Sequence, residues 1–232
     1  MASRILTGAS LGALFGALLA GPAAAQEFEV PEGCELQLTV QGRECAVTQY
    51  FICEEDPEGF RRSIQFREDG ATGASVVDAE YQWVQTIGGA SRERLVDAED
   101  PASLSELFET GEDSFDFTLQ EDGPRGTNEY RVVGIDRLEG GEVEIDGVPL
   151  QRTIFAYQRL DEDGEALISV TGEQYVSEDL RLFFAGPETA RIGGRVIESD
   201  NSPVRFAREG DPGFGDIRPA FGCDVSDIGF RP

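Results

Sequence analysis

The sequence contains no histidine and no lysine. Without histidine, neither a Ser-His nor a Cys-His nucleophile pair can form, and an imidazole zinc site is excluded as well. Without lysine, the chain has no Schiff-base nucleophile, no Ser-Lys dyad and no phosphate-loop lysine. The functions that remain are acid–base catalysis by carboxylates, binding of oxygen-ligand metals such as calcium, and binding without catalysis.

Positive charge is also scarce, because the 19 basic residues are all arginine and face 45 Asp and Glu residues. The formal net charge of the chain at pH 7 is −26. A polyanion of this size repels nucleic acids and anionic lipid surfaces, so we expect neither of them as a partner.

Long apolar runs are missing except at the N-terminus. Arg4 precedes a short apolar stretch that ends at Ala20, and residues 23–25 are three alanines. This is the pattern of a secretory signal peptide, and the stretch is shorter than the roughly 20 residues of a membrane span. We therefore expect residues 1–25 to be a signal peptide, and residues 26–232 to form a periplasmic or secreted protein with no membrane span in the mature chain.

Cysteine is limited to Cys34, Cys45, Cys53 and Cys223. An exported chain meets an oxidising compartment, where four cysteines with none left over indicate two disulfides. The sequence has no C-x-x-C pair and no histidine, so the spacing does not favour a metal or redox centre. We predict two structural disulfides, no metal site and no cofactor.

Strand alternation favours one of the three connectivities that four cysteines allow. A hairpin that turns near residues 42–45 would set apolar positions opposite each other. The expected cross-strand pairs are Val40 with Val47, Leu36 with Phe51, and Cys34 with Cys53. Cys45 then remains to pair with Cys223, although Arg43-Glu44 is not the usual chemistry of a two-residue hairpin turn.

Most of the chain alternates apolar and polar residues at the period of a β-strand. The apolar face of one long strand is predicted to run from Val77 to Ile87, and Gly or Asp-Gly pairs such as Gly140-Gly141 are expected to separate later strands. Residues 26–232 are therefore predicted to form a single, mainly β domain. Its antiparallel sheet would be a sandwich or an open or half barrel.

One short helix is predicted at about residues 101–110. Asp100 is a suitable N-cap, Ser103 and Glu106 resemble a capping box, and Gly111 can end the helix. The pattern elsewhere is strand and turn.

The C-terminal segment, residues 209–232, is rich in glycine and proline and shows no sustained periodicity. Phe214, Phe221 and Phe230 are expected to pack it down, and Cys223 would tie it to the first hairpin. The segment should thus belong to the same domain as the N-terminal strands.

The acidic segment Asp161–Ala166 resembles a fragment of a calcium-binding loop, with carboxylates at alternate positions before a glycine. It lacks the later ligands, and an Asp-Gly pair between two strands is already typical of a hairpin turn. We interpret it as a turn.

Three arginines, Arg131, Arg152 and Arg181, lie within or beside predicted strands. Such side chains either pair with Asp and Glu on the solvent face or bind an anionic ligand. We expect the pairing.

The aromatic residues suggest a function. The chain has 15 Phe, 5 Tyr and a single Trp, Trp83. A curved sheet with one helix against its concave side can enclose an apolar cavity lined by such residues. We therefore expect an exported, non-catalytic β-sheet protein that serves as a binding or structural module for an apolar small molecule or a partner protein.

The alternative is a carboxylate-dependent, glycosidase-like hydrolase that uses an Asp/Glu pair. It requires carboxylates that line a cleft and have separated pKa values. Asp116 and Glu173 are the acidic residues most closely flanked by core-like residues. Neither is sufficient to name a catalytic residue, and none is predicted.

Overall fold

The structure is a computed structural model and describes residues 27–223. The predicted signal peptide, residues 1–25, and Phe230 lie outside the described residues. Within them, thirteen strands and one helix follow each other along the chain. They are β1 Cys34–Gly42, β2 Ala46–Cys53, β3 Arg61–Arg67, β4 Gly70–Val77, β5 Trp83–Gly88, β6 Ser91–Asp100, α1 Leu104–Thr110, β7 Glu112–Gly123, β8 Gly126–Ile145, β9 Val148–Leu160, β10 Ala166–Ser177, β11 Leu182–Ile192, β12 Arg195–Asp200 and β13 Pro203–Ala207.

All thirteen strands belong to one antiparallel sheet. Strands β1 to β12 each pair with the next strand in sequence, and β13 returns to pair with β1. The edge strands β12 and β13 do not pair with each other, so the sheet is open. The prediction of a mainly β fold with one short helix is confirmed, and the arrangement is the open sheet.

The sheet rolls until its two ends face each other. Phe184 on β11 lies 5.9 Å from Tyr50 on β2 and 5.1 Å from Phe206 on β13, measured between ring centroids. These rings belong to the largest buried cluster, which also contains Leu38, Val40, Val148, Leu150 and Leu182. Each fully buried side chain of this size stabilises the fold by roughly 1.5–3 kcal/mol.

The opposite face of the same strands is covered by the helix. Phe183 packs with Leu104 and Leu107 of α1, whereas its neighbour Phe184 belongs to the first cluster. Adjacent residues of a strand point to opposite faces, so β11 separates the two clusters. A third cluster, of Phe115, Phe117, Leu119 and Val132 on β7 and β8, continues the helix-covered region.

The helix begins later than the sequence suggests. Ser103 is the N-cap, and its hydroxyl accepts a hydrogen bond from the Glu106 backbone N–H at 3.1 Å. Asp100, the predicted N-cap, instead ends β6, where it pairs with Asp116. Gly111 ends the helix in the left-handed region, at φ 86°, as expected.

The predicted long strand from Val77 to Ile87 is wrong, because a tight loop interrupts it. Asp78 Oδ1 accepts hydrogen bonds from the backbone N–H groups of Glu80 and Gln82, both at 2.9 Å. Tyr81 takes a positive φ of 68°. An Asp side chain that caps its own turn competes with continued strand pairing, and the resulting loop, residues 78–82, forms one wall of the site described below.

Two other sequence signals were misleading. Gly140-Gly141 does not separate two strands but lies at a shift of register inside the single strand β8. Strand β6 was not predicted, because its mostly charged sequence hides the alternation of Leu95 with polar neighbours.

The first hairpin contains the Cys34–Cys53 disulfide, and Leu36 lies opposite Phe51. The expected pairing of Val40 with Val47 is wrong. A bulge between Leu36 and Leu38 shifts the register, so Val40 lies opposite Thr48. The extra residue also changes the turn to a three-residue loop that ends in Cys45 at φ 51°, a common hairpin geometry that does not require Asn-Gly.

The C-terminal segment lies on the outer face of this hairpin. Gln41 donates through Nε2 to the Arg218 carbonyl at 3.0 Å and accepts through Oε1 from the Ala220 N–H at 2.9 Å. The second disulfide, Cys45–Cys223, joins the segment to the hairpin loop, and the Cys45 N–H donates to the Phe221 carbonyl. Phe221 also lies under the Arg205 guanidinium.

Within residues 27–223, no helix is both long enough and apolar enough to cross a bilayer.

Candidate functional site

The interior of the rolled sheet holds two adjoining cavities that share Tyr81, Phe183, Phe184 and Ala185 in their walls. The larger, of about 380 Å³, is lined mainly by small and polar residues of β1 to β5. The smaller, of about 240 Å³, lies beside α1 and combines aromatic rings with buried carboxyl groups. A site with an apolar wall and a few converging polar groups is the usual form of a ligand pocket, so the smaller cavity is the candidate site.

Aromatic side chains from four elements line this cavity. Trp83 on β5 makes edge contacts with Phe117 on β7 and Tyr157 on β9, both at 5.5 Å between centroids. Phe155 stacks beside Tyr157 at 6.2 Å, and Phe115 lies 5.7 Å from Phe117. The rings therefore form one continuous apolar wall.

The loop at residues 78–82 is fixed in place by Arg181. The guanidinium donates to the Ala79 carbonyl at 2.9 Å and to Glu80 Oε1 at 2.7 Å. Glu80 also accepts hydrogen bonds from the backbone and hydroxyl of Ser105 in α1. Partial burial raises the pKa of Glu80, but the bonds from Ser105 and the charge of Arg181 outweigh it and leave that pKa below its usual value. Glu80 is thus an ionised, fully engaged side chain.

Gln82 is buried and joins three parts of the wall. Its Oε1 accepts from the Ala102 N–H at 2.9 Å, and its Nε2 donates to the Trp83 carbonyl at 3.2 Å. The loop, β5 and the segment leading into α1 are therefore held together by one side chain.

Asp113 is the first of two buried carboxyl groups in the cavity wall and is 3% exposed. Its Oδ2 accepts from the Ser103 N–H at 3.0 Å, so it occupies the place that Glu106 would take in a capping box. Its Oδ1 is buried without a hydrogen-bond partner. Burial raises the pKa of Asp113 to about 6 against the effect of the Ser103 bond, with smaller contributions from nearby acidic charges.

Asp136 is the second buried carboxyl group and lies directly opposite Asp113 in the β7–β8 register. It is 8% exposed and accepts one hydrogen bond, from Gln174 Nε2 at 2.7 Å. Burial, followed by the charge of Asp113, raises the pKa of Asp136 to about 7. Cross-strand neighbours have Cβ atoms only about 4.5–5.5 Å apart, so two like charges here repel strongly.

Gly134, next to Asp136 on the cavity face, allows the wall to close. It lies opposite Phe115 in the register, and a Cβ at this position would stand 2.4 Å from the Phe115 ring. The ring lies over the glycine, as in aromatic covering of strand glycines. This packing places an apolar ring beside both carboxyl groups.

The sequence analysis missed both carboxyl groups, although a signal existed. Asp113 alternates with Phe115 and Phe117, and Asp136 alternates with Val132 and Gly134. Each therefore lies on an apolar strand face, which is unusual for a carboxylate.

The two carboxylates singled out from the sequence lie elsewhere. Asp116 has the opposite parity to Asp113 and binds the Arg131 guanidinium, whose hydrogen bonds hold the pKa of Asp116 below its usual value. Glu173 lies 3.7 Å from Arg152 and is half-exposed. The structure thus does not bring these two residues into a site.

The remaining candidate residues form structural contacts. Arg131, Arg152 and Arg181 each pair with a carboxylate, as expected. Asp161 Oδ1 accepts from the backbone N–H groups of Asp163 and Glu165, which is the geometry of a turn. The four cysteines form the two disulfides.

Comparisons with protein-family models, curated protein sequences and solved structures return no match to this chain. The functional conclusion therefore depends on the geometry of the cavity.

Proposed function

We propose that the protein is an exported, non-catalytic binding protein that takes a small apolar molecule into the cavity beside α1. The observation that carries this proposal is the continuous aromatic wall around about 240 Å³ of empty space. The two disulfides are compatible with an oxidising, periplasmic or extracellular location.

The size of the cavity limits the ligand. An apolar cavity of about 150 Å³ binds benzene, and sites for drug-sized molecules begin at roughly 300 Å³. A volume between these values suits one ring with a short side chain. Long lipids and sugar chains are too large for the cavity in this form.

The only tryptophan of the chain lies in the cavity wall, so its fluorescence reports occupancy directly. We expect 2-phenylethanol, a neutral compound with one ring, to change the Trp83 emission with a saturable dependence on concentration. A linear change without saturation would contradict the proposal.

Ala185→Phe supplies a blocked variant, because Ala185 is exposed at the cavity mouth and can be enlarged without disturbing the core. It should abolish the saturable change in fluorescence. Ala190→Phe on the same strand, outside the cavity walls, is the matched control and should bind like the wild-type protein.

A carboxylate-dependent hydrolase is the second candidate, favoured by one observation, the opposed pair Asp113 and Asp136. Retaining glycosidases hold two carboxyl groups about 5–5.5 Å apart, a separation that cross-strand neighbours can reach. The pair lacks the usual division of roles, however, since burial raises both pKa values, to about 6 and about 7.

A panel of chromogenic glycosides and esters separates the two candidates. The binding proposal expects no turnover above that of the Asp136→Asn variant. Turnover by the wild-type protein that this variant loses would favour the hydrolase.

A further inference from the structure

We infer that the ligand of this cavity carries a positive charge, as a small arylalkyl ammonium ion whose ring lies against the aromatic wall and whose ammonium group lies at Asp113 and Asp136. This inference rests on the proposed binding function and specifies its ligand class. It depends on three features of the cavity: an unsatisfied oxygen, the lack of a counter-ion among the described residues, and the arrangement of the rings.

The unsatisfied oxygen is Asp113 Oδ1. The side chain is 97% buried, lines the cavity, and uses only Oδ2 to bind Ser103. Buried polar atoms in folded proteins nearly always have a partner, and leaving one without a partner is costly. A ligand that donates hydrogen bonds would satisfy this atom.

The counter-ion is missing on every side of the pair. Across residues 27–223, the ion pairs of the arginines involve other carboxylates, and none reaches Asp113 or Asp136. The titratable groups that face the pair or line its cavity are all acids or phenols. They are Glu80 and Tyr81 from the loop, Asp100 from β6, Glu106 from α1, Tyr157 from β9 and Glu188 from β11.

The rings complete a site for a cation. Trp83 and Tyr157 present aromatic surface beside the carboxyl pair, and a cation within about 6 Å of such a ring is attracted by its quadrupole. An ammonium group is a hydrogen-bond donor only, whereas a carboxylate is an acceptor only. A positively charged amine therefore matches the pair in charge and in hydrogen bonding, and an anionic ligand matches in neither.

Binding should be coupled to proton release. Burial and mutual repulsion hold protons on Asp113 and Asp136 near pH 6 to 7, and a bound ammonium ion would favour the ionised forms of both. Affinity for the amine should therefore rise between pH 5 and pH 8. Affinity for a neutral ligand should be unchanged or fall over the same range, because the carboxyl groups lose their protons.

The test compares three probes of nearly equal shape at fixed ionic strength near 150 mM: 2-phenylethylamine, 2-phenylethanol and phenylacetate. At pH 8 we expect the amine to bind about tenfold or more tighter than the alcohol, and phenylacetate not to bind. Calorimetry at pH 6 in buffers of different ionisation enthalpy should show protons released by the amine and none by the alcohol.

Asp136→Asn and Asp113→Asn should each reduce the preference for amine over alcohol to near one while the alcohol still binds. Asp97→Asn, which removes an exposed charge on β6, should keep the wild-type preference. It controls for general attraction of cations by an acidic protein.

The outcomes separate the two proposals. Equal binding of amine and alcohol, or a preference that survives both cavity substitutions, would overturn the ammonium inference and leave the binding function standing. No saturable binding of any probe would overturn the proposed function itself.

Discussion

At the residue scale, the unusual feature of this protein is a pair of carboxyl groups that folding moves out of water. An ionised carboxylate in an apolar wall lacks the solvation it has in the unfolded chain, and two of them on neighbouring strands also repel each other. The protein keeps Asp113 and Asp136 in this position with one hydrogen bond each from other side chains or backbone. Such an arrangement weakens folding at neutral pH, which is typical of functional sites.

This weakening can be measured at Asp136. Its pKa is 3.8 in an unfolded chain and about 7 in the folded protein. Its contribution to stability is therefore complete below pH 4 and is lost as the pH rises through 7. Between pH 5 and pH 8, the free energy of unfolding of wild type should fall relative to that of Asp136→Asn by on the order of 2 to 3 kcal/mol.

Urea denaturation at the two pH values gives this difference. Asp97→Asn is the control for the charge lost, because that side chain is exposed and should follow the wild-type profile. Parallel pH profiles for all three proteins would show that Asp136 titrates normally.

At the scale of elements, the C-terminal segment is held to the first hairpin by side chains that act like backbone. Gln41 satisfies both an N–H and a carbonyl of the segment and is 5% exposed. Thr39 and Gln49 do the same, accepting from the Gly215 N–H and donating to the Asp216 carbonyl. A segment without periodicity is thereby ordered by polar contacts.

Replacing Gln41 with Met keeps the size of the side chain but leaves the Arg218 carbonyl and the Ala220 N–H without partners. We expect the free energy of unfolding to fall by on the order of 2 kcal/mol, because buried unsatisfied groups are costly. Amide hydrogen exchange should accelerate at residues 215–221 in particular. Gln158→Met on an exposed position of β9 should change neither quantity; similar losses in both variants would count against the role assigned to Gln41.

Much at this scale could be predicted from the sequence. Period-two alternation indicated the sheet, and Ser103, Glu106 and Gly111 indicated the helix. The errors have local causes: the Asp78 turn that splits a strand, the bulge after Leu36 that shifts a register, and the glycine pair that β8 absorbs as a change of register. Each involves a side chain or an extra residue that competes with regular pairing, and periodicity alone does not register such competition.

The cavity was harder to predict than the sheet, because it depends on contacts between distant segments. The parity of Asp113 and Asp136 shows that each lies on an apolar face. That the two carboxyl groups are opposite each other follows only from the β7–β8 register. The loop that completes the wall comes from a region predicted to be strand.

At the scale of the whole molecule, the two disulfides differ in what they constrain. Cys34–Cys53 joins residues 19 apart within one hairpin, whereas Cys45–Cys223 joins residues 178 apart. A bond that closes a longer loop removes more conformational entropy from the unfolded chain.

Removing each bond as a pair of alanines should therefore have unequal effects. By chain-entropy reasoning, loss of Cys45–Cys223 should reduce the free energy of unfolding by about 5 kcal/mol and loss of Cys34–Cys53 by about 3 kcal/mol. Denaturation of both double variants under non-reducing conditions gives the comparison. A larger loss from the short-range bond would contradict the view that the long-range bond holds the two ends of the chain together.

The open sheet, the helix and the loop at residues 78–82 together enclose one occupied volume, and its occupancy is the central claim. Native mass spectrometry of protein purified from its own host measures it most directly. The account predicts the wild-type protein with one small molecule bound per chain, and the Ala185→Phe protein without it. A ligand-free mass for both proteins, unchanged after addition of 2-phenylethylamine, would contradict the account.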